Sequence, residues 1–271
     1  MKYIVFFFMA PLILLGACRS VPRNAPDFET DFRTYAQEKT IFLFPDKAEN
    51  SPSMKISLNL FEFAGNDGLQ ECIYRVLYEN APPSAYGDSL IVSWEKSYAR
   101  AAGIWEESYD ESFNWEYIET IEAADLGRVV QVKRTRYEFT GGAHGSQTEE
   151  FYLFDKTGKD GATPNQVLLS DIIAQDVHAD LLQLIESRLR MDEGLSPEAS
   201  LSEHGFLVDV IEMPSEFSIT QREGASSAPP GVVFHWNPYE IAPYARGHVK
   251  TVVPYEAIQR FLTGYGRELL R

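Results

Sequence analysis

The sequence predicts an α+β protein, because strand-like and helix-like stretches follow one another in mixed order, without the regular alternation of a doubly wound sheet. Three observations carry this expectation. Ile56 to Phe63 begins by alternating apolar with polar residues, the period of a half-buried strand. Between Asp88 and Tyr109 the period changes: Ile91, Trp94, Tyr98, Ala102, Trp105 and Tyr109 recur every three or four residues, as on an amphipathic helix covering a sheet. Val129 to Phe139 then returns to the β-branched and aromatic composition of a strand.

Taken in order, residues 1–17 read as an export signal, with Lys2 as the positive end and Ile4 to Leu15 as the apolar run. That run is short for a membrane span, which needs about 20 residues. Its ending, Leu15-Gly16-Ala17-Cys18, resembles a bacterial lipobox and makes Cys18 the expected lipidated first residue. The alternative is an ordinary secretory signal that ends near a cysteine. Residues 18–54 would hold the lipidated cysteine, a tether containing Pro22 and Pro26, and a first strand from Gln37 to Phe44. Cys72 is the second of two cysteines; with Cys18 acylated it has no partner for a disulfide, and it reads as a small buried residue on a strand from Cys72 to Tyr78.

Trp115 to Ile121 and Phe151 to Phe154 read as further strands, and Thr140 to Gly145 as a shaped turn, because its three glycines permit φ > 0 and close backbone approach. A second helix is expected from Ser170 as N-cap to Gly194, with Ile173, Val177, Leu181, Leu184, Ile185 and Leu189 as its apolar stripe. Phe206 to Ile211, Glu216 to Thr220, Val232 to Trp236 and Val249 to Val253 read as strands, and Pro254 opens a short terminal helix. Between the last two strands lies Asn237 to Gly247. Pro238 and Pro243 fix φ at two points and remove two backbone donors, so neither a helix nor a central strand can run through it. Tyr239, Ile241 and Tyr244 bring too much apolar area for it to be left unpacked.

The formal net charge is -16, which repels phosphate backbones and anionic lipid heads and steers cationic partners inward. Nucleic-acid binding is therefore excluded as an expectation.

Gly141-Gly142-Ala143-His144-Gly145, Phe154-Asp155, Gly158, Leu169-Ser170-Asp171-Ile172, Asn237 to Ala245 with Gly247, and Val253-Pro254-Tyr255 together resemble a bacterial family. The chain is similar to the extracytoplasmic domain of unknown function of the anti-sigma factor RsiV and of the accessory region of the peptidoglycan deacetylase PdaC. The resemblance implies two small packed α/β subdomains, here residues 55–140 and 141–271, facing the cell envelope without established catalysis. In RsiV the region binds lysozyme. The sequence departs from RsiV in showing no sigma-binding segment before the export signal and no transmembrane helix, and from PdaC in lacking the deacetylase domain. Neither sigma regulation nor deacetylation is expected.

The candidate ligand-binding or structural residues are Gly141, Gly142, His144, Tyr239, Glu240 and Tyr244. A carboxylate beside His144 would make a general base or a proton sensor, and the simpler role is for the imidazole to hold the turn by donating to a backbone carbonyl. Tyr239 and Tyr244 offer faces for sugars, or serve core packing. No metal site or cofactor is expected: the five histidines include no pair at ligand spacing, and there is neither a nucleophile elbow nor a phosphate loop. The expected function is a non-catalytic binding module on a membrane-anchored lipoprotein, for lysozyme-like proteins or cell-wall glycans. Arg19, in place of an inner-membrane retention aspartate, favours the outer membrane where there are two. The alternatives are a glycan hydrolase using His144 and Glu240, and a purely structural lipoprotein.

Overall fold

The computed structural model describes residues 31–44, 51–65, 67–104, 114–220 and 230–270. The expected export signal, Cys18 and the tether as far as residue 30 lie outside them, as do Trp105 and Tyr109. The fold is α+β, with two sheets and six α-helices among the described residues.

The first sheet has six strands in sequence order: β1 (Asp31–Phe42), β2 (Ser53–Ala64), β3 (Trp115–Leu126), β4 (Val129–Phe139), β5 (Ser146–Asp155) and β6 (Asn165–Val167). All neighbours are antiparallel except β2 and β3. That parallel pair requires a crossover, supplied by α1 (Asp67–Leu77) and α2 (Pro83–Ile104). Strand β1 starts six residues before the expected Gln37, so part of the expected tether is ordered in the sheet.

Cys72 is buried as expected, but on a helix rather than a strand. Leu69, Cys72, Ile73 and Leu77 fall on one face of α1, and the apolar density of the segment masks that spacing when it is read from Cys72 onward. Ile91, Tyr98 and Ala102 of α2 are buried, and the Trp94 ring packs on Tyr117 with centroids 4.8 Å apart.

The second sheet, β7 (Glu216–Thr220), β8 (Gly231–Trp236) and β9 (Val249–Pro254), is antiparallel throughout. The single helix expected from Ser170 is interrupted. Leu168, not Ser170, caps α3 (Leu169–Ile172), because the Asp171 carboxylate accepts from the Leu168 N–H at 2.9 Å. Ile173 then bridges to Leu262, and the Ala174 N–H bonds to Phe261 O at 3.0 Å, which draws the chain out of helix before α4 (His178–Asp192) begins. Docking of the C-terminal segment, α5 (Tyr255–Ile258) and α6 (Gly264–Leu269), therefore overrides the local helical pattern. Pro254 is the N-cap of α5.

One sheet separates two cores. Met54, Ile56, Leu58, Val130, Val132 and Phe154 face α1 and α2, whereas Val129, Leu153 and Val167, pointing the other way, join the core of the second sheet and α4. The glycine bend placed by sequence at a subdomain boundary is the turn of the β4–β5 hairpin, within the first sheet.

Candidate functional site

The glycine bend has φ of 101° at Gly141 and 96° at Gly142, values that side-chain-bearing residues rarely adopt. Gly145 is required for a different reason: a Cβ there would lie 2.4 Å from the Tyr137 ring. The backbone thus passes over Tyr137 and presents His144 to solvent. His144 Nδ1 lies 2.9 Å from Gly145 O, so this nitrogen donates, the turn-holding role expected of the imidazole. Nε2 is left as an acceptor, and the Tyr239 hydroxyl donates to it at 3.1 Å. The Tyr244 ring stacks on the imidazole with centroids 4.1 Å apart and planes at 13°.

The proline-stiffened loop is thus brought onto the bend, as a shared scaffold requires. Ile241 and Ala242 anchor it in the core. The Tyr239 N–H bonds to Ala242 O at 2.8 Å, closing a tight turn that holds Tyr239 at φ 73°, a left-handed value costly for a bulky residue. Its side chain remains 57% exposed. An aromatic residue held in an unfavourable conformation and left in water stabilises no core.

Glu240 does not reach His144 in a hydrogen bond or ion pair. Its carboxylate accepts from the Asn237 N–H at 3.0 Å, and its own N–H donates to Asn237 O at 3.1 Å. The His144–Glu240 pairing that the hydrolase alternative needs is therefore not formed; His144 pairs with Tyr239, and Glu240 closes the loop. Asn237 spans the two sheets: its amide accepts from the Glu149 N–H at 2.7 Å and donates to Glu149 O at 3.1 Å. Glu216 accepts from the Phe151 N–H at 2.7 Å, so side chains of the second sheet satisfy the backbone edge of β5. Reciprocally, the Gln131 side chain accepts from the Ile219 N–H at 2.8 Å.

Phe206 to Ile211, expected as a strand, is irregular loop. The Asp209 carboxylate accepts from the Ser200 hydroxyl at 2.7 Å and from the Ser202 N–H at 3.0 Å, curling the segment on itself. The Leu207 N–H bonds to Ile241 O at 2.8 Å, and the Arg246 guanidinium lies over the Phe206 ring at 4.2 Å while pairing with Glu193. Leu207 and Val210 are consequently 53% and 73% exposed on a loop pinned to the tyrosine loop. Sequence alternation hid both, since apolar residues there imply burial. Glu203, Asp209, Glu212 and Glu240 are exposed on the same pair of loops.

Two other polar clusters are closed off. His235 Nε2 lies 2.8 Å from the Ser218 hydroxyl, the spacing of a nucleophile and its base, but Ser218 is buried and the imidazole is stacked on Phe151 at 3.9 Å. Burial pushes the His235 pKa down to about 4, and raises that of Glu216 above its usual range. Beneath α1 and α2, Glu119 is fully buried, accepting from Tyr117 at 2.5 Å and lying 3.2 Å from Arg134 Nε. Among the described residues no cluster of three or more His, Cys, Asp or Glu is placed to ligate a metal, and no helix is long and apolar enough to cross a membrane.

Fold and site together define an α+β protein of two edge-locked sheets that carries an exposed aromatic loop at their junction. Within that class, residues 170–256 match the family model described as "Protein of unknown function (DUF3298)", a span running from α3 to α5. A solved DUF3298 family member from Bacteroides fragilis superposes with a TM-score of 0.71 at 19% identity, covering 88% of this chain and 95% of that one. A second, from Pseudomonas aeruginosa, gives 0.58 at 16% identity, covering 86% and 94%. At these identities the likeness establishes the fold. No curated protein matches the chain.

Proposed function

We propose that this chain is a non-catalytic binding module of the cell envelope, tethered through a lipidated Cys18, whose tyrosine loop receives a cationic protein of the lysozyme kind. The observation that carries this reading is Tyr239, held at φ 73° yet 57% exposed. Rigid exposed aromatics are the usual anchors of protein interfaces, since they bury a large area for little lost side-chain entropy. Leu207 and Val210 extend the apolar surface, and Glu203, Asp209, Glu212 and Glu240 ring it with negative charge. A net charge of -16 attracts a basic partner from a distance, and the apolar centre retains it. The resemblance to the lysozyme-binding region of RsiV names the concrete partner.

Against hydrolysis by His144 and Glu240 stands their separate engagement, His144 with Tyr239 and Glu240 with Asn237. The test is titration of the full chain with lysozyme at low and at high salt. The expected result is binding that weakens with salt and falls about tenfold or more in Tyr239→Ala; absence of binding at both salt concentrations removes this partner.

A further inference from the structure

The first sheet has a second exposed surface, which runs from β1 to the strand beside the glycine bend. Ile56, Leu58, Leu60, Tyr117 and Ile121 turn toward α1 and α2, so the alternate residues of β1 to β4 face the other way. Their registers align them in rows across four strands. Ala36, Asn59, Thr120 and Thr135 oppose one another in one row, and Glu38, Ser57, Ile118 and Tyr137 in the next. Ala36, Glu38 and Asn59 are exposed, Ile118 is 37% exposed, and Ser57, Thr120, Thr135 and Tyr137 are half-buried.

We infer that this face is a glycan-binding surface, and that its ligand is an unbranched, uncharged β-linked polysaccharide lying across the strands. Across β1 to β4 the first row carries no charge in a chain of net -16, offering one amide and two hydroxyls that can each donate and accept, and it ends at Glu149 on β5. Strands stand roughly 4.8 Å apart. This is close to the advance of one β-1,4-linked pyranose, so successive sugars meet successive strands in register. Ile118 and Tyr137 form an apolar strip alongside, suited to the C–H faces of the rings. The outer end of the Tyr137 ring packs closely against Gly145, which holds it beside the row. Other occupants fit less well. Among the described residues of this face the cations are Lys55 and Lys133, the latter paired with Glu149, too little for phosphate recognition. A membrane or protein partner needs a contiguous apolar centre, which the polar row interrupts.

The row adjoins the glycine bend at Tyr137 but shares no residue with the tyrosine loop, so either proposal can fail without the other. A β-1,4-linked N-acetylglucosamine oligosaccharide is titrated into the full chain while backbone amide shifts are followed by NMR. The expected result is saturable perturbation confined to residues 57–59, 118–120 and 135–137. The double variant Asn59→Ala and Thr120→Val should bind about tenfold more weakly, with unchanged circular dichroism and an unchanged response to lysozyme. Shifts that are absent, or that cluster elsewhere, overturn the inference, as does a folded double variant with parental affinity.

Discussion

His235 and His144 make the same two contacts in opposite surroundings. Each stacks on an aromatic ring, Phe151 at 3.9 Å and Tyr244 at 4.1 Å, and each places Nε2 near a hydroxyl, Ser218 at 2.8 Å and Tyr239 at 3.1 Å. The first lies in the seam between the sheets, where burial suppresses its charge. The second is exposed at the edge of the same seam. Contacts that lock two sheets together inside serve outside only to position a tyrosine. The difference assigns stability to one histidine and recognition to the other, and each assignment can be broken separately.

The largest effect is expected where a charge would be stranded inside. Glu119→Ala leaves Arg134 buried without its main counter-charge and should cost about 3–5 kcal/mol, read from the urea midpoint. Next comes the acid response of His235. Its folded pKa of about 4 lies below the ordinary 6.5, so as pH falls the unfolded chain takes up the proton first. Stability is complete above pH 6.5 and is lost between 6.5 and 4. The loss amounts to about 3 kcal/mol by the usual conversion of pKa shift to free energy. Denaturation across that range should show this slope in the parent chain and much less of it in His235→Gln. On the exposed side, Tyr239→Asn relieves the left-handed strain, because Asn tolerates that conformation, and should raise stability by about 1 kcal/mol while lysozyme binding falls. The smallest change is His144→Ala, within about 0.5 kcal/mol of the parent on thermal melting. A large loss there would mean that the turn held by the exposed histidine carries stability of the whole fold.

The parts of this arrangement legible in the sequence were those set by local rules. The prolines at 238 and 243 exclude regular structure, and the glycines at 141 and 142 require a special turn. The aromatic stripe of α2 shows its buried face by period alone. The match of residues 170–256 to a domain of unknown function agrees with the motifs read there. What escaped depends on contacts between distant residues. Ile173 leaves the helix because Leu262, far along the chain, pairs with it. Leu207 and Val210 are exposed because Asp209 is captured by Ser200 and Ser202. The partner of His144 turned out to be the hydroxyl of Tyr239, since Glu240 finds a nearer donor in the Asn237 backbone. Asn237 bridges the sheets through Glu149, far from it along the chain.

Hydrogen exchange on the full chain with and without lysozyme puts the central claim to its most direct trial. Slowed exchange concentrated in residues 206–211 and 237–247, leaving the amides of β1 and β2 unchanged, is the predicted outcome. Protection that appears only elsewhere, or none at a lysozyme concentration that saturates binding, would contradict the assignment of the tyrosine loop as the recognition surface.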